Sequence, residues 1–371
     1  MSEVQATGGL VTSPHASDRR VQPLLAAIRR NWREQGLFLA AALSVFAARL
    51  VILPGAFEMA AWTFVQSLWP FIGAWALAIC CYLAWKTLQT KSVSESFRYL
   101  WSDVFTWRNA VVAIPAALAA ALLMNSFSHF KSSIPSFNPY ELDDLFQQVD
   151  RYLHFGVDPW RITEKAFGYG MATVVIDKAY YVWFLVFYVP MGGLIGMPDR
   201  FGVRHQFMLT FVLVWAVLGI VCATMLSSVG PIFYDRLHGG TSAFTELVVN
   251  LEAVNASWEL TTMQVREVLW DAYVNDMDTV ISGISAMPSI HNAMCVLLFL
   301  VARHINRWLA VGAAAFALTI FVGSVHLGWH YAIDAYVSAV GVVLLWKLAG
   351  HLTGEAARRK AKKLDAAPAL A

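Results

Sequence analysis

Charge is what this chain has least of. Asp, Glu, Lys and Arg make up 14% of its 371 residues, against about 25% in an ordinary soluble domain. The deficit falls in blocks and 58% of the residues are hydrophobic, a pattern that excludes a plain soluble domain and points to a polytopic membrane protein. A net charge of +2 singles out no partner, and no nucleic acid is expected. Cysteine is scarce too: Cys80, Cys81, Cys222 and Cys295 all fall in apolar runs. They show neither zinc-type spacing nor a disulfide framework and read as small buried hydrophobes. No signal-peptide apolar region precedes residue 37, so the first apolar run is expected to be retained. Internal repeats and low-complexity tracts are lacking, as are the paired half-helices of transporters.

What is present is a series of long apolar runs. They predict an all-α, polytopic transmembrane bundle of about eight spans, near 37–54, 60–85, 109–126, 179–197, 206–228, 289–303, 308–326 and 331–349. The sixth is short, since a crossing needs about 20 residues. Three regions follow: a basic N-terminal segment 1–36, a membrane-embedded body 37–349 and a basic tail 350–371. Within the first, Val21 to Glu34 reads as a basic surface helix. The tail, with Arg358, Arg359, Lys360, Lys362 and Lys363, reads as disordered.

Basic residues orient the chain. Eight spans put both termini on one side. With the termini cytoplasmic, the inner segments 1–36, 86–108, 198–205, 303–307 and 347–371 hold 5, 4, 2, 2 and 6 Lys or Arg, and the short outer turn 55–59 holds none. The outer loops 127–178 and 229–288 then face the periplasm or extracellular space, in a plasma (inner) membrane. Loops of that length carry function or structure of their own. In the first, Asn138-Pro139-Tyr140-Glu141 predicts a helix start. Leu142, Leu145, Phe146, Val149 and Leu153 follow at helical spacing and predict an amphipathic helix that lies on the membrane, lids a site or packs on the bundle. The second loop is acidic, with Trp258 and Trp270 suited to an interface.

Two segments carry the chemistry: Ser285-Ala286-Met287-Pro288-Ser289-Ile290-His291 and His326-Leu327-Gly328-Trp329-His330-Tyr331-Ala332-Ile333-Asp334. Two membrane passes separate them, so both lie at the same, outer surface. Ionisable groups at membrane depth are costly and are functional candidates by default. His330 and Asp334 are four apart and share a helix face. A carboxylate there fixes the imidazole tautomer and leaves the other nitrogen as nucleophile or base. His291 falls in the first turn of the sixth span, where free N–H groups and the helix dipole favour an anion. His326, His330 and Asp334 also form an i, i+4, i+8 series, which with His291 reads alternatively as a metal site. Gly328 argues against one continuous helix through all three.

These stretches resemble the type 2 phosphatidic acid phosphatase superfamily. Pro288-Ser289-Ile290-His291 matches its Pro-Ser-x-His core, and Leu327-Gly328-Trp329-His330-Tyr331-Ala332-Ile333-Asp334 its final motif. Motifs and spans together cover about 65 residues. Looser similarity in Ser228-Val229-Gly230-Pro231-Ile232-Phe233-Tyr234 and Leu153-His154-Phe155-Gly156-Val157-Asp158-Pro159 looks like the inositol phosphorylceramide synthase branch. The resemblance implies a six-helix core and metal-free chemistry without a cofactor. It implies that His330 attacks phosphorus to give a phosphohistidine, Asp334 orients it, and His291 protonates the leaving oxygen. The expected substrates are membrane phospholipids or lipid phosphates, with water or a ceramide-like or glycan alcohol as acceptor. Two departures stand out. The Arg usual six residues before the final-motif His is Ser324, and no Lys-x-x-x-x-x-x-Arg-Pro motif is found. Substitute cations are expected among Arg236, Lys178, Arg161, Lys165 and Arg49, with Arg236 first. Ser289 and Tyr234 complete the expected substrate-binding set.

Overall fold

The computed structural model describes residues 16–53, 56–275, 283–355 and 357–359. Every regular element among them is helical. Helix α1 (Ala16–Ile52) packs along α4 (Trp107–Phe137), and α2 (Ala56–Thr90), followed by the short α3 (Val93–Tyr99), packs against α4 and α8 (Trp183–Gly196). Helix α5 (Asp143–Leu153) and α6 (Pro159–Phe167) lie between α4 and α7 (Met171–Tyr181), which meets α8 at Val182. Helix α9 (Arg204–Leu213) runs through a π-helical stretch, Val214–Cys222, into α10 (Ala223–Met225). The second loop folds as α11 (Tyr234–His238), α12 (Thr245–Ser257) and α13 (Thr261–Val274). Helices α14 (Ile290–Ile305), α15 (Arg307–His326) and α16 (Ala332–Leu352) complete the bundle.

Among the described residues, seven segments are long and apolar enough to cross a membrane: Gln35–Ile52, Phe64–Thr90, Trp107–Phe137, Met171–Gly196, Arg204–Met225, Arg307–His326 and Ala332–Leu352. This is a multi-pass membrane protein. The eighth apolar helix, α14, has 16 residues. It packs against α8, α9, α15 and α16, with Met294, Leu297 and Val301 buried. A helix apolar on all sides belongs in the middle of a bundle. Its shortness is offset by the segment before it, where Ile284, Ala286, Met287 and Ser289 are buried in protein. Non-helical backbone is tolerated at membrane depth under that condition. Truncating Leu297 to Ala would cost about 2–5 kcal/mol through the cavity left behind.

Several boundaries differ from the sequence reading. The N-terminal basic stretch is no separate surface helix, because α1 runs unbroken from Ala16 into the first span. The third span does not stop near residue 126. Leu123, Phe130 and Ile134 extend its buried face to Phe137, a length of roughly 46 Å at 1.5 Å per residue. That exceeds the ~30 Å hydrocarbon core and carries His129 and Lys131 on the helix rather than in a loop.

Asn138 ends α4 instead of starting a helix, and its amide donates to the Thr224 carbonyl at 2.8 Å. Tyr140 is buried and donates its hydroxyl to the Ile284 carbonyl at 2.7 Å, so a tertiary contact overrides the capping signal. Helix α5 begins at Asp143, and its buried side chains are Asp143, Phe146 and Asp150. Leu145 and Leu153 of the predicted apolar stripe are exposed. The start of the tail is anchored. Glu355 accepts from the backbone N–H groups of His205 and Gln206, and Arg359 donates to the Gly202 carbonyl and to Gln206. Residues 1–15 and 360–371 of the terminal segments lie outside the described residues.

Candidate active site

The site forms where three irregular segments meet: the approach to α14, the turn between α15 and α16, and Ser228 to Tyr234. Helix α15 ends at His326, the chain turns through Gly328, and α16 starts at Ala332. His330 lies in that turn with its backbone N–H donating to the Ser324 carbonyl at 3.1 Å. The third segment ties the other two together. The Ala286 N–H donates to the Ser228 carbonyl at 3.0 Å, and the Ile232 N–H donates to the Gly328 carbonyl at 2.8 Å.

His330 Nδ1 lies 2.8 Å from the Ala286 carbonyl oxygen and 3.1 Å from Asp334 Oδ2. Both partners accept, so Nδ1 carries the proton and donates. In the neutral ring the lone pair then belongs to Nε2. Asp334 is fully buried and accepts from the Tyr331 N–H as well, at 3.1 Å. His291 stands in the first turn of α14, after Ser289, whose hydroxyl caps that helix by accepting from the Asn292 N–H. Its ring is held by Trp183, with centroids 4.3 Å apart, and stacks on Tyr180 at 5.1 Å. The Trp183 indole N–H donates to the His291 carbonyl at 3.1 Å. The His291 and His330 rings are 6.2 Å apart, centre to centre. Both line a cavity of about 340 Å³, whose walls include Met124, Phe127, Tyr188 and Trp215.

Two buried carboxylates of α5 hold this frame from outside the membrane helices. Asp143 accepts from the N–H groups of Val229 and Gly230 and, at 2.9 Å, from the Tyr331 hydroxyl. Burial, with Asp143 beside it, pushes the Tyr331 phenol well above its ordinary range, which keeps it a donor. Asp150 accepts from the N–H groups of Ala332 and Ile333 at 2.7 and 2.8 Å, the first turn of α16, where the helix dipole favours an anion. Burial pushes the Asp150 carboxyl up to about 6, against the lowering effect of those two N–H bonds.

The structure brings together His330, Asp334 and His291, while Ser289, Arg236, Lys178 and Tyr234 do not line the cavity of the two histidines. Ser289 is buried, capping its helix and accepting from the Asn292 amide. Tyr234 donates its hydroxyl to Asp144. Arg236 pairs with Glu267 at 2.7 Å, Arg161 with Glu246 at 2.8 Å and Lys178 with Asp177 at 3.1 Å, and Lys165 is exposed. Buried Arg49 donates to Asn125, a cavity residue, without lining the cavity itself. Ser324 is buried, donating to the Phe321 carbonyl and accepting from the Asn292 amide. His326 separates from the other histidines: its ring nitrogens lie 3.1 and 3.2 Å from the hydroxyls of Thr173 and Thr163. Among the described residues no group of three His, Cys, Asp or Glu side chains is placed to hold a metal ion.

Two basic cavity residues escaped the sequence reading, His129 and Lys131 of α4. The apolar spacing of Leu123, Phe130 and Ile134 would have found them, by carrying the helix past residue 126.

No curated protein and no solved structure matches this chain. The sequence model of the PAP2 superfamily does match, over residues 145–348. That stretch is more than half of the chain and contains all three converging residues, and the chain belongs to the PAP2 superfamily.

Proposed function

We propose that this protein is an integral-membrane lipid phosphotransferase or phosphatase that works through a phosphohistidine on His330, with an inositolphosphotransferase-like activity. The observation that carries the reading is the pair of acceptors on His330 Nδ1, which leaves Nε2 as the nucleophile. Nε2 forms a bond to phosphorus as the bond from phosphorus to the lipid's glycerol oxygen breaks. His291, across the cavity, gives that oxygen its proton. Asp334 balances the positive charge that grows on the His330 ring. In the second half an acceptor oxygen attacks phosphorus, its proton passes to His291, and the N–P bond breaks.

Water or an alcohol completes the cycle. The apolar walls of the cavity, Met124, Phe127, Tyr188 and Trp215 among them, favour a lipid alcohol over water and so favour transfer, in keeping with the synthase-like stretches at Ser228–Tyr234 and Leu153–Pro159. The distribution of Lys and Arg supports a site on the outer face of a plasma membrane, with the segments 1–36 and 350–371 cytoplasmic and 37–349 embedded.

The test is product analysis with purified protein in mixed micelles, supplied with a phospholipid panel and an alcohol acceptor, wild type beside His330→Ala. A new phospholipid without free phosphate, lost in the variant, is the expected result. Free phosphate, also lost in the variant, would make the protein a phosphatase. Equal products from both proteins would overturn the histidine mechanism.

A further inference from the structure

The superfamily's phosphate-binding cations have no counterpart in the two motifs, and none of the sequence candidates Arg236, Lys178, Arg161, Lys165 and Arg49 lines the cavity. We infer that Lys131 of α4 holds a non-bridging oxygen of the phosphoryl group during transfer, a role that rests on the phosphotransfer reading above. Lys131 lines the cavity with His291 and His330, and is the one Lys or Arg to do so among the described residues. No hydrogen bond or ion pair to its ammonium is found among the described residues, whereas Arg236, Lys178 and Arg161 each sit on a carboxylate.

Its place is fixed by the backbone. Gly283, at φ +76°, rests so closely on α4 that a Cβ there would come within 2.7 Å of the Lys131 carbonyl carbon and oxygen. The segment leading to His291 is therefore seated directly on the turn that carries the lysine. An ammonium in an apolar cavity is costly without a counter-charge. A phosphoryl oxygen supplies one, and its negative charge is held by the ammonium when phosphorus is attacked.

The experiment uses the full chain in mixed micelles with orthovanadate, an oxyanion of phosphate's shape, as the probe. In the wild type, vanadate should inhibit turnover and protect Lys131 from reductive methylation, read by peptide mass spectrometry. Lys131→Met should raise the half-inhibiting vanadate concentration about tenfold or more, the loss expected for one charge-assisted hydrogen bond, and lower turnover. Lys131→Arg should retain inhibition within a few-fold. Vanadate that inhibits the wild type while leaving Lys131 as reactive as before would overturn the proposal alone, whether or not the variants fold. So would unchanged inhibition and turnover in a folded Lys131→Met. Vanadate that neither inhibits nor protects the wild type would overturn the phosphotransfer reading, and this proposal with it.

Discussion

The Ala286 carbonyl and Asp334 Oδ2 share the Nδ1 proton of His330, at 2.8 and 3.1 Å. Ala286 lies 44 residues before His330, in the segment that leads to His291. One imidazole N–H therefore sets the nucleophile's tautomer and joins the two halves of the site. Replacing Asp334 by Asn puts an amide where the carboxylate accepted, and its NH₂ group favours the other tautomer. Turnover should fall about 10³-fold or more, with protein that still purifies as a folded monodisperse species. A loss of less than about tenfold would show that Asp334 does not set the tautomer.

Asp143 serves the same frame from the loop side. Its carboxylate accepts from the Val229 and Gly230 N–H groups and the Tyr331 hydroxyl, and His238 Nε2 lies 3.4 Å from it. An Asn has one acceptor oxygen and must turn an NH₂ towards donors. Asp143→Asn should cost about 1–3 kcal/mol, seen as a lowered Tm in detergent. Tyr331→Phe removes one bond and should cost about 1 kcal/mol, with turnover reduced less than about tenfold. An Asp143→Asn protein as stable as the wild type would remove Asp143 from this role.

Asp150 gives the fold a pH dependence of known sign. Its carboxyl sits at about 6, above the ordinary 3.8. The folded state thus binds this proton more tightly than the unfolded chain does, so the contribution to stability is complete below about 4 and is lost as pH rises to about 6. Asp150→Asn removes this proton-binding group, so the wild type should gain Tm relative to the variant on acidification. The Tm of the wild type minus that of the variant should rise as pH falls from 6 to 4. A difference that falls on acidification would contradict the assignment.

Close backbone approach is needed at Gly230. Its φ is +82°, and a Cβ there would lie 2.7 Å from the Trp329 carbonyl oxygen and 3.0 Å from the Ala286 Cβ, the neighbours that flank His330. Gly230→Ala should cut turnover at least about tenfold by displacing both, in addition to the strain of a left-handed conformation. Gly312 has open space around it in the middle of α15. Gly312→Ala should leave turnover unchanged and add about 0.5–1 kcal/mol of stability. Equal turnover in wild type and Gly230→Ala would show that the close approach is dispensable.

The sequence told most where chemistry and pattern lie close together along the chain. His330 and Asp334 are four residues apart, and the apolar runs of the spans are continuous, so the bundle and the histidine pair could be read directly. The partners that hold them could not. Asp143 meets Tyr331 across 188 residues and Asp150 meets Ala332 across 182, and no local spacing encodes such pairs. Asn138 looked like a helix cap because the signal is local, while the contact that decided the matter, Tyr140 on Ile284, spans 144 residues. Lys131 was passed over because a charge near the end of an apolar run reads as a loop. Of the cations chosen from the loops, Arg236, Arg161 and Lys178 were already committed to Glu267, Glu246 and Asp177, which proximity to a span end does not reveal.

The most direct test of the account is to trap the covalent intermediate. Purified protein would be mixed with a phospholipid labelled at its headgroup phosphorus, quenched within one turnover and digested under alkaline conditions, which preserve phosphohistidine. The account predicts an acid-labile label on the peptide containing His330, absent from His330→Ala. A wild-type protein that turns over with no label on that peptide, beside a His330→Ala protein that turns over equally well, would contradict it.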